Sequence, residues 1–202
     1  MKQKAAYREF LHEVLSKLED SSHIGIYHHV RQIPYGGVGQ RDPQQVYERN
    51  LGTCSGKHVL LRDLLQAANY NADVLNIFTH FNKYIPSHST MSPHLLELLE
   101  NGDVPDFHNI VQLSLSSKNG NVDRYLLDAT WPDAMACYGF KINSSWAGSG
   151  DTVLAGPLLT RYPVCSSVVE QKEQLLLTLS KPDLERRAFF LDLLTSWISD
   201  QE

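Results

Sequence analysis

The stretch Gly52-Thr53-Cys54-Ser55-Gly56-Lys57 stands directly ahead of a dense apolar run, Val59, Leu60, Leu61, Leu64, Leu65 and Ala68. A thiol attacks as thiolate, and a free cysteine with a pKa near ~8.5 is mostly protonated at neutral pH. Two devices change that. The first residues of a helix carry unpaired N–H groups and part of a positive charge, which favour an anion. A neighbouring imidazole can take the proton and stay as counter-ion. A cysteine flanked by glycines at the start of a buried helix has the form of the first device. Its own backbone N–H would then face a developing oxyanion. Most lone cysteines are inert packing residues, so the context matters. Small polar neighbours suit a core position poorly, and Cys137 and Cys165 have no comparable surroundings and read as structural.

The second device needs a histidine. Of the nine present, His108 stands at the head of an apolar strand, Ile110-Val111-Gln112-Leu113. Asp128 closes the next apolar run, Tyr125-Leu126-Leu127-Asp128, before Ala129-Thr130-Trp131. Neighbouring strands can hold the two side by side, so that the carboxylate orients the ring and stabilises its charged form. Taken alone, an aspartate at a strand end is more often a turn former, and the case rests on all three residues in order. His58, four residues after Cys54 on one helical face, could supply half of a metal site. No second Cys/His pair with ligand spacing accompanies it, and no metal or cofactor is expected. Tyr35 and Gln40 are the candidate side-chain donors to an oxyanion, although each also reads as a loop residue.

The elements that must position these residues follow from periodicity. Tyr7, Phe10, Leu11, Val14, Leu15 and Leu18 form one apolar stripe on a helix of about 15 residues. A short amphipathic stretch, Ile24 to Val30, stops at Ile33-Pro34-Tyr35-Gly36-Gly37. Asp42-Pro43 is an N-cap followed by an N1 proline. The run after Cys54 is too apolar for a surface helix, ends at Asn69-Tyr70-Asn71, and gives way to a strand over Ala72 to Phe78. Residues 79–107 read as an insertion with one helix, Pro93 to Glu100. Two strands follow, Phe107 to Leu115 and Arg124 to Ala129, joined by the turn formers Ser116 to Asn121. Residues 139–166, rich in glycine and serine and holding Trp146, form a long loop or lid. Two helices close the chain, the last capped by Ser180. This order predicts an α+β fold.

With 202 residues, 42% hydrophobic and 20% charged, the chain fits one globular domain spanning residues 1–202. Its net charge of -5 is interspersed, which speaks against nucleic acid and against a membrane surface. Three cysteines at wide spacing fit reduced thiols, and the Met-Lys-Gln-Lys start lacks a secretory apolar stretch, so a cytoplasmic location is expected. The sequence leaves the oligomeric state open.

Ile33-Pro34-Tyr35, Asp42-Pro43 with Val46, Gly52 to Lys57, the leucine-rich helix, Ala72-Asp73-Val74, His108 and Leu126-Leu127-Asp128-Ala129-Thr130 together resemble the transglutaminase-like superfamily of papain-like cysteine enzymes. The resemblance runs from about residue 24 to 135 and leaves helical additions at both ends. It implies a Cys54, His108, Asp128 triad, with the cysteine opening a helix packed on an antiparallel sheet. The family contains proteases, amidases, deglycosylating enzymes, protein crosslinkers and members without activity. The implied chemistry is thiol-dependent hydrolysis of, or acyl transfer from, a peptide, protein or small amide or ester substrate. An inactive binding or scaffold domain is the alternative. A more distant resemblance to arylamine N-acetyltransferases makes acyl transfer of that kind a minor one. No calcium site like that of animal crosslinking enzymes is recognisable. The chain departs from the family pattern twice: Asn109 follows His108 where an aromatic residue is common, and an insertion separates Cys54 from His108.

Overall fold

A computed structural model of the chain describes residues 2–37, 41–116 and 119–201. Helix α1 (Lys2–Lys17) lays Leu11 and Val14 into the core, and α2 (His23–Gln32) starts at the N-cap Ser22, whose side chain accepts from the Gly25 N–H. Pro34 follows one residue after the C-cap Ile33 and stops α2 there. Helix α3 (Pro43–Arg49) is capped by Asp42 as expected and ends on Asn50 in the left-handed region, at φ 48°. Helix α4 (Cys54–Ala67) opens on the cysteine, and its Leu60, Leu61, Leu64 and Leu65 are fully buried. Each such leucine contributes about 1.5–3 kcal/mol of hydrophobic stabilisation.

The strands β1 (Asn71–His80), β2 (Pro105–Ser116), β3 (Val122–Leu127) and β4 (Thr160–Arg161) form one antiparallel sheet in the order β3-β2-β1-β4. All four are thus strands of a mixed helix-and-sheet architecture, as the α+β expectation requires. The β1–β2 ladder pairs Ile77 with His108 and Asn76 with Asn109. Ala72, Val74, Val111 and Leu113 pack with α4, while Leu75, Ile77 and Ile110 form a separate small cluster; alternation along each strand divides them between the two faces. The Ser116–Asn121 turn joins β2 to β3, and Ser117 and Lys118 within it lie outside the described residues.

Three expectations need adjusting. The segment between β1 and β2 is shorter than 79–107, because β1 runs on to His80 and β2 begins at Pro105. It holds a 3-10 turn (Phe81–Tyr84) and helix α5 (Pro93–Glu100). Residues 139–166 include β4, and Trp146 packs on Tyr27 of α2, with ring centroids 4.8 Å apart. That aromatic contact seats Trp146 in the core around α4, away from the cavity beside Cys54. Helices α6 (Val168–Leu176) and α7 (Lys181–Ser199) close the chain, with Ser180 capping α7.

Two cores meet at α4. One joins α1, α2, α4 and the sheet. The other gathers Tyr35, Cys54, Phe81, Trp131 and the buried faces of α5 and α7. Cys54 therefore belongs to a different core from the leucines of its own helix. No helix among the described residues is long and apolar enough to cross a membrane.

Candidate active site

The approach to Cys54 is fixed by backbone. Gly52 lies beside Tyr35 in a parallel bridge, donating to the Pro34 carbonyl at 3.1 Å and accepting from Gly36 at 3.3 Å. A side chain there would collide: an added Cβ would lie 2.7 Å from Val46 Cγ1. Thr53 is the N-cap and makes no side-chain capping bond, so no hydroxyl occupies the first N–H groups of α4. Those groups favour an anion, as the sequence predicts.

His108 and Asp128 are brought together, though not by the strand ends the sequence suggests. His108 is the fourth residue of β2, because pairing with β1 continues back to Pro105. Asp128 lies one residue past β3, whose ladder with β2 ends at Val111 and Leu127. From there its Oδ2 accepts from His108 Nε2 at 2.8 Å and from the Ala155 N–H at 2.8 Å. Its Oδ1 accepts from the backbone N–H of Thr130 at 2.9 Å and from the Thr130 hydroxyl. Asp128 is therefore a turn former and a partner of His108 at once, since the bond to the N–H two residues on is an Asx turn. Residues 139–166 contribute here through Ala155 and through Thr152, whose hydroxyl accepts from the Asp128 N–H at 2.7 Å.

Cys54, His108 and Asp128 are all buried. Burial pushes the Cys54 thiol up, but Lys172 first and His108 second outweigh it and hold the thiol down at about 5. Burial likewise pushes the His108 ring down, and Asp128 followed by Cys54 reverses this, raising it to about 10. Burial would raise Asp128; the charge and hydrogen bond of His108 instead hold its carboxyl well below the usual carboxylate range. His108 Nδ1 is buried without a well-aligned hydrogen bond among the described residues, and after Asp128 the strongest pull on the ring comes from Cys54. The thiol–imidazole contact is thus looser than the imidazole–carboxylate one.

His58, His108 and Asp128 place ligand atoms within 4.8 Å of one another, the span of a three-ligand metal site. Their hydrogen bonds account for these atoms without a cation. His58 Nδ1 lies 2.7 Å from the Cys54 carbonyl, an obligate acceptor, and Nε2 accepts from the Ala129 N–H at 2.8 Å. His58 thus donates from Nδ1 and accepts at Nε2, tying the first turn of α4 to the segment carrying Asp128.

A cavity of about 120 Å³ opens beside Cys54, lined by Tyr35, Asp106, Lys172 and Arg187 among others. Tyr35 is buried there; desolvation, then the neighbouring thiol, push its hydroxyl well above its ordinary range, so it remains a proton donor. Gln40, the other candidate donor, lies outside the described residues. Sequence reasoning missed Asp106, Lys172 and Arg187. Arg187 Nε lies 2.6 Å from Asp106 Oδ1, and Lys172 Nζ lies 3.9 Å from both Asp106 Oδ1 and Cys54 Sγ. Cys137 is exposed and Cys165 half-buried, both free thiols away from this cavity.

No protein-family model matches the chain, and no curated protein sequence matches it. Among solved structures, one from Cytophaga hutchinsonii that bears the name "Putative Cysteine Protease" aligns over 66% of this chain, with 16% identity and a TM-score of 0.40. The aligned part is 40% of that protein's length. At that degree of likeness, a functional reading has to stand on the geometry around Cys54.

Proposed function

We propose that the chain performs thiol-dependent acyl chemistry of the transglutaminase-like, papain-related kind, with Cys54 as nucleophile, His108 as acid and base, and Asp128 as the group that orients His108. The observation that carries this reading is the buried His108, bound to Asp128 at 2.8 Å and facing a thiol held at about 5. At neutral pH the resting state is then a thiolate–imidazolium pair.

The thiolate sulfur forms a bond to the carbonyl carbon of an amide or ester, and the π pair of the C=O moves onto oxygen. When that pair returns, the leaving nitrogen or oxygen departs with the proton from His108. Water or an amine, deprotonated by the now neutral His108, attacks the thioester, and sulfur leaves again as thiolate. Whether water or an amine completes the cycle fixes hydrolysis or transfer. Substrates of the peptide, protein or small-amide class fit this chemistry.

The test is alkylation of the folded protein by iodoacetamide across pH, with the labelled cysteine located by mass spectrometry. Cys54 is expected to label first, with an apparent pKa several units below ~8.5; in His108→Ala that advantage should largely disappear. Slow, unselective labelling of all three thiols would remove the mechanism. One observation favours the second reading, a binding domain without turnover: Cys54 is only 3% exposed, and its cavity of about 120 Å³ has room for about four waters. Under that reading Cys54 would label no faster than the exposed Cys137.

A further inference from the structure

Charge surrounds Cys54 from two directions. On one side lie His108 on β2 and Asp128 just past β3; on the other lie Arg187 on α7, Asp106 at the start of β2 and Lys172 on α6. The contacts run Arg187 to Asp106 at 2.6 Å, Asp106 to Lys172 at 3.9 Å, Lys172 to Cys54 at 3.9 Å, and His108 to Asp128 at 2.8 Å. Read in order, Arg187, Asp106, Lys172, Cys54, His108 and Asp128 alternate in sign. The sum is zero whether the proton sits on sulfur or on His108, but only with the thiolate and the imidazolium does each charge face one of opposite sign, Asp128 included. A buried ion is costly unless it is paired, so this array favours the ionised sulfur. Tyr35 adds no charge, and Arg41, also lining the cavity, is paired with Glu173 at 2.7 Å.

Lys172 does not reach Cys54 by chance of a flexible side chain. It is 3% exposed, and a relay of buried hydrogen bonds fixes the helix that bears it. Lys172 donates to Ser55 Oγ at 3.3 Å, and Ser55 donates to Asn109 Oδ1 at 2.7 Å. Asn109 Nδ2 donates to Asn76 Oδ1 at 2.7 Å, and Asn76 Nδ2 donates to Gln171 Oε1 at 2.8 Å and to the Val168 carbonyl at 3.1 Å. Gln171 adjoins Lys172 on α6, so the relay closes into a ring linking α4, β2, β1 and α6. Asn109 is the residue at which this chain departs from an aromatic. A phenylalanine there could do neither, and a tryptophan could donate to Asn76 but not accept from Ser55.

Attack moves the charge without changing the sum. In the tetrahedral intermediate the Cys54 sulfur is neutral and its negative charge has passed to the carbonyl oxygen, so a cation beside the sulfur then has its partner on that oxygen. Resting on the thiol reading above, we propose that Lys172 is a catalytic residue, the second cation of the Cys54 thiolate and the side-chain donor to the oxyanion, with Asn109 as the positioning residue that holds it. In the step assigned to Lys172 the sulfur–carbon bond forms, the carbonyl π pair becomes the oxyanion lone pair, and Lys172 keeps its proton throughout. The Cys54 backbone N–H supplies the second donor.

The experiment compares alkylation rates of Cys54 in the full chain with neutral iodoacetamide and anionic iodoacetate, in wild type, Lys172→Met and Lys172→Arg, from pH 5 to 10. In Lys172→Met the apparent thiol pKa should rise by about one to three units, and the rate preference for the anionic reagent should fall several-fold. Lys172→Arg should recover most of both. A folded Lys172→Met, with the wild-type circular dichroism and melt, whose pH profile and reagent ratio are unchanged would overturn the proposal. Should Lys172→Met fail to fold, wild type alone still decides: an iodoacetate-to-iodoacetamide ratio at Cys54 no higher than at the exposed Cys137 overturns it. Failure of the thiol reading looks different, because Cys54 would then be slow in wild type and indifferent to His108→Ala.

Discussion

Lys57 and Lys172 are both buried beside α4, yet their ammonium groups meet different partners. Lys57 Nζ donates to three backbone carbonyls, those of Arg31 at 3.1 Å, Thr130 at 3.0 Å and Ile33. Each of its three protons is satisfied by a neutral, immobile acceptor. It ties the end of α2 to the segment after Asp128. Burial pushes it down to about 7, with Asp128 opposing that. Lys172 instead faces a hydroxyl, a thiol and a carboxylate, two of them at 3.9 Å. Full satisfaction by backbone makes a structural staple. Partial satisfaction beside a nucleophile leaves a cation free to interact with charge that appears during a reaction. The same residue type, equally buried, is distinguished by its acceptors.

The largest effect that separates the two should come from Lys57→Met. Three buried carbonyls would lose their donor, at about 1–3 kcal/mol for each group left unsatisfied. Some will relax, so a net loss of about 3 kcal/mol is expected, lowering the Tm by roughly 6–12 °C for a chain of this size. Thermal melts measure it. The folded fraction should keep the wild-type pH profile of Cys54 alkylation. If Lys57→Met raises the thiol pKa as much as Lys172→Met does, the distinction between the lysines is lost.

Next in size is the dependence of wild-type stability on pH. Cys54, held at about 5 against an ordinary 9.0, favours folding more as pH rises through that interval. His108, raised to about 10 from 6.5, favours folding less as pH rises through its own. Between 6.5 and 9.0 these two cancel. Between about 5 and 6.5 the folded and unfolded states both hold the His108 proton, while only the unfolded state holds the thiol proton. Stability contributed by the thiol should therefore fall as pH falls there, by about 1.4 kcal/mol per pH unit at most. Lys57, at about 7 in the folded state, stays mostly charged in that window and contributes little. Denaturant melts of wild type and Cys54→Ala at pH 5.0 and 6.5 measure the difference. Equal slopes in the two proteins would show that the sulfur carries no charge near neutrality.

How far this was legible in the amino-acid sequence follows from where the signals lie. Cys54 announces itself locally, through Gly52 and the leucines behind it, and α3, α5 and α7 begin where Asp42-Pro43, Pro93 and Ser180 indicate. His108 and Asp128 could be paired because consecutive apolar runs suggest neighbouring strands. Their placement within those runs could not be read, because strand length is decided by pairing partners such as His80 and Pro105. Lys172, Asp106 and Arg187 are a different matter. Lys172 and Cys54 are 118 positions apart, and Arg187 and Asp106 are 81 apart. A lysine in a short amphipathic helix has the pattern of a solvated one, and nothing in Val168 to Leu176 marks its burial. The one trace was Asn109, a polar residue in the buried part of β2, whose partners are supplied only by folding.

A smaller effect is expected at Asp106. Its charge works against the thiolate, so Asp106→Asn should lower the thiol pKa by about one unit, opposite in sign to Lys172→Met. The same substitution removes the carboxylate partner of Arg187 and of Lys172, so stability should fall while reactivity at pH 5 rises. Alkylation rates at pH 5 together with a melt measure both. A rise in the thiol pKa would mean that Asp106 acts by holding Lys172 in place, and the alternating array would lose its electrostatic meaning.

The smallest shift should appear in Asn109→Ala, and it separates position from charge. No charge is removed, so only the tethering of Lys172 changes: Ser55 loses its acceptor and Asn76 its donor, costing about 1–2 kcal/mol of stability. With Lys172 less firmly held, the thiol pKa should rise by less than about one unit, and the preference for iodoacetate should weaken in proportion. Lys172→Met combined with Asn109→Ala should then alkylate as Lys172→Met alone, because the tether has nothing left to position. A double variant whose pKa rises by the sum of the two single changes would mean that Asn109 acts on Cys54 through Ser55 directly. The ring would then be a support for α4, and the two buried lysines would differ in charge environment alone.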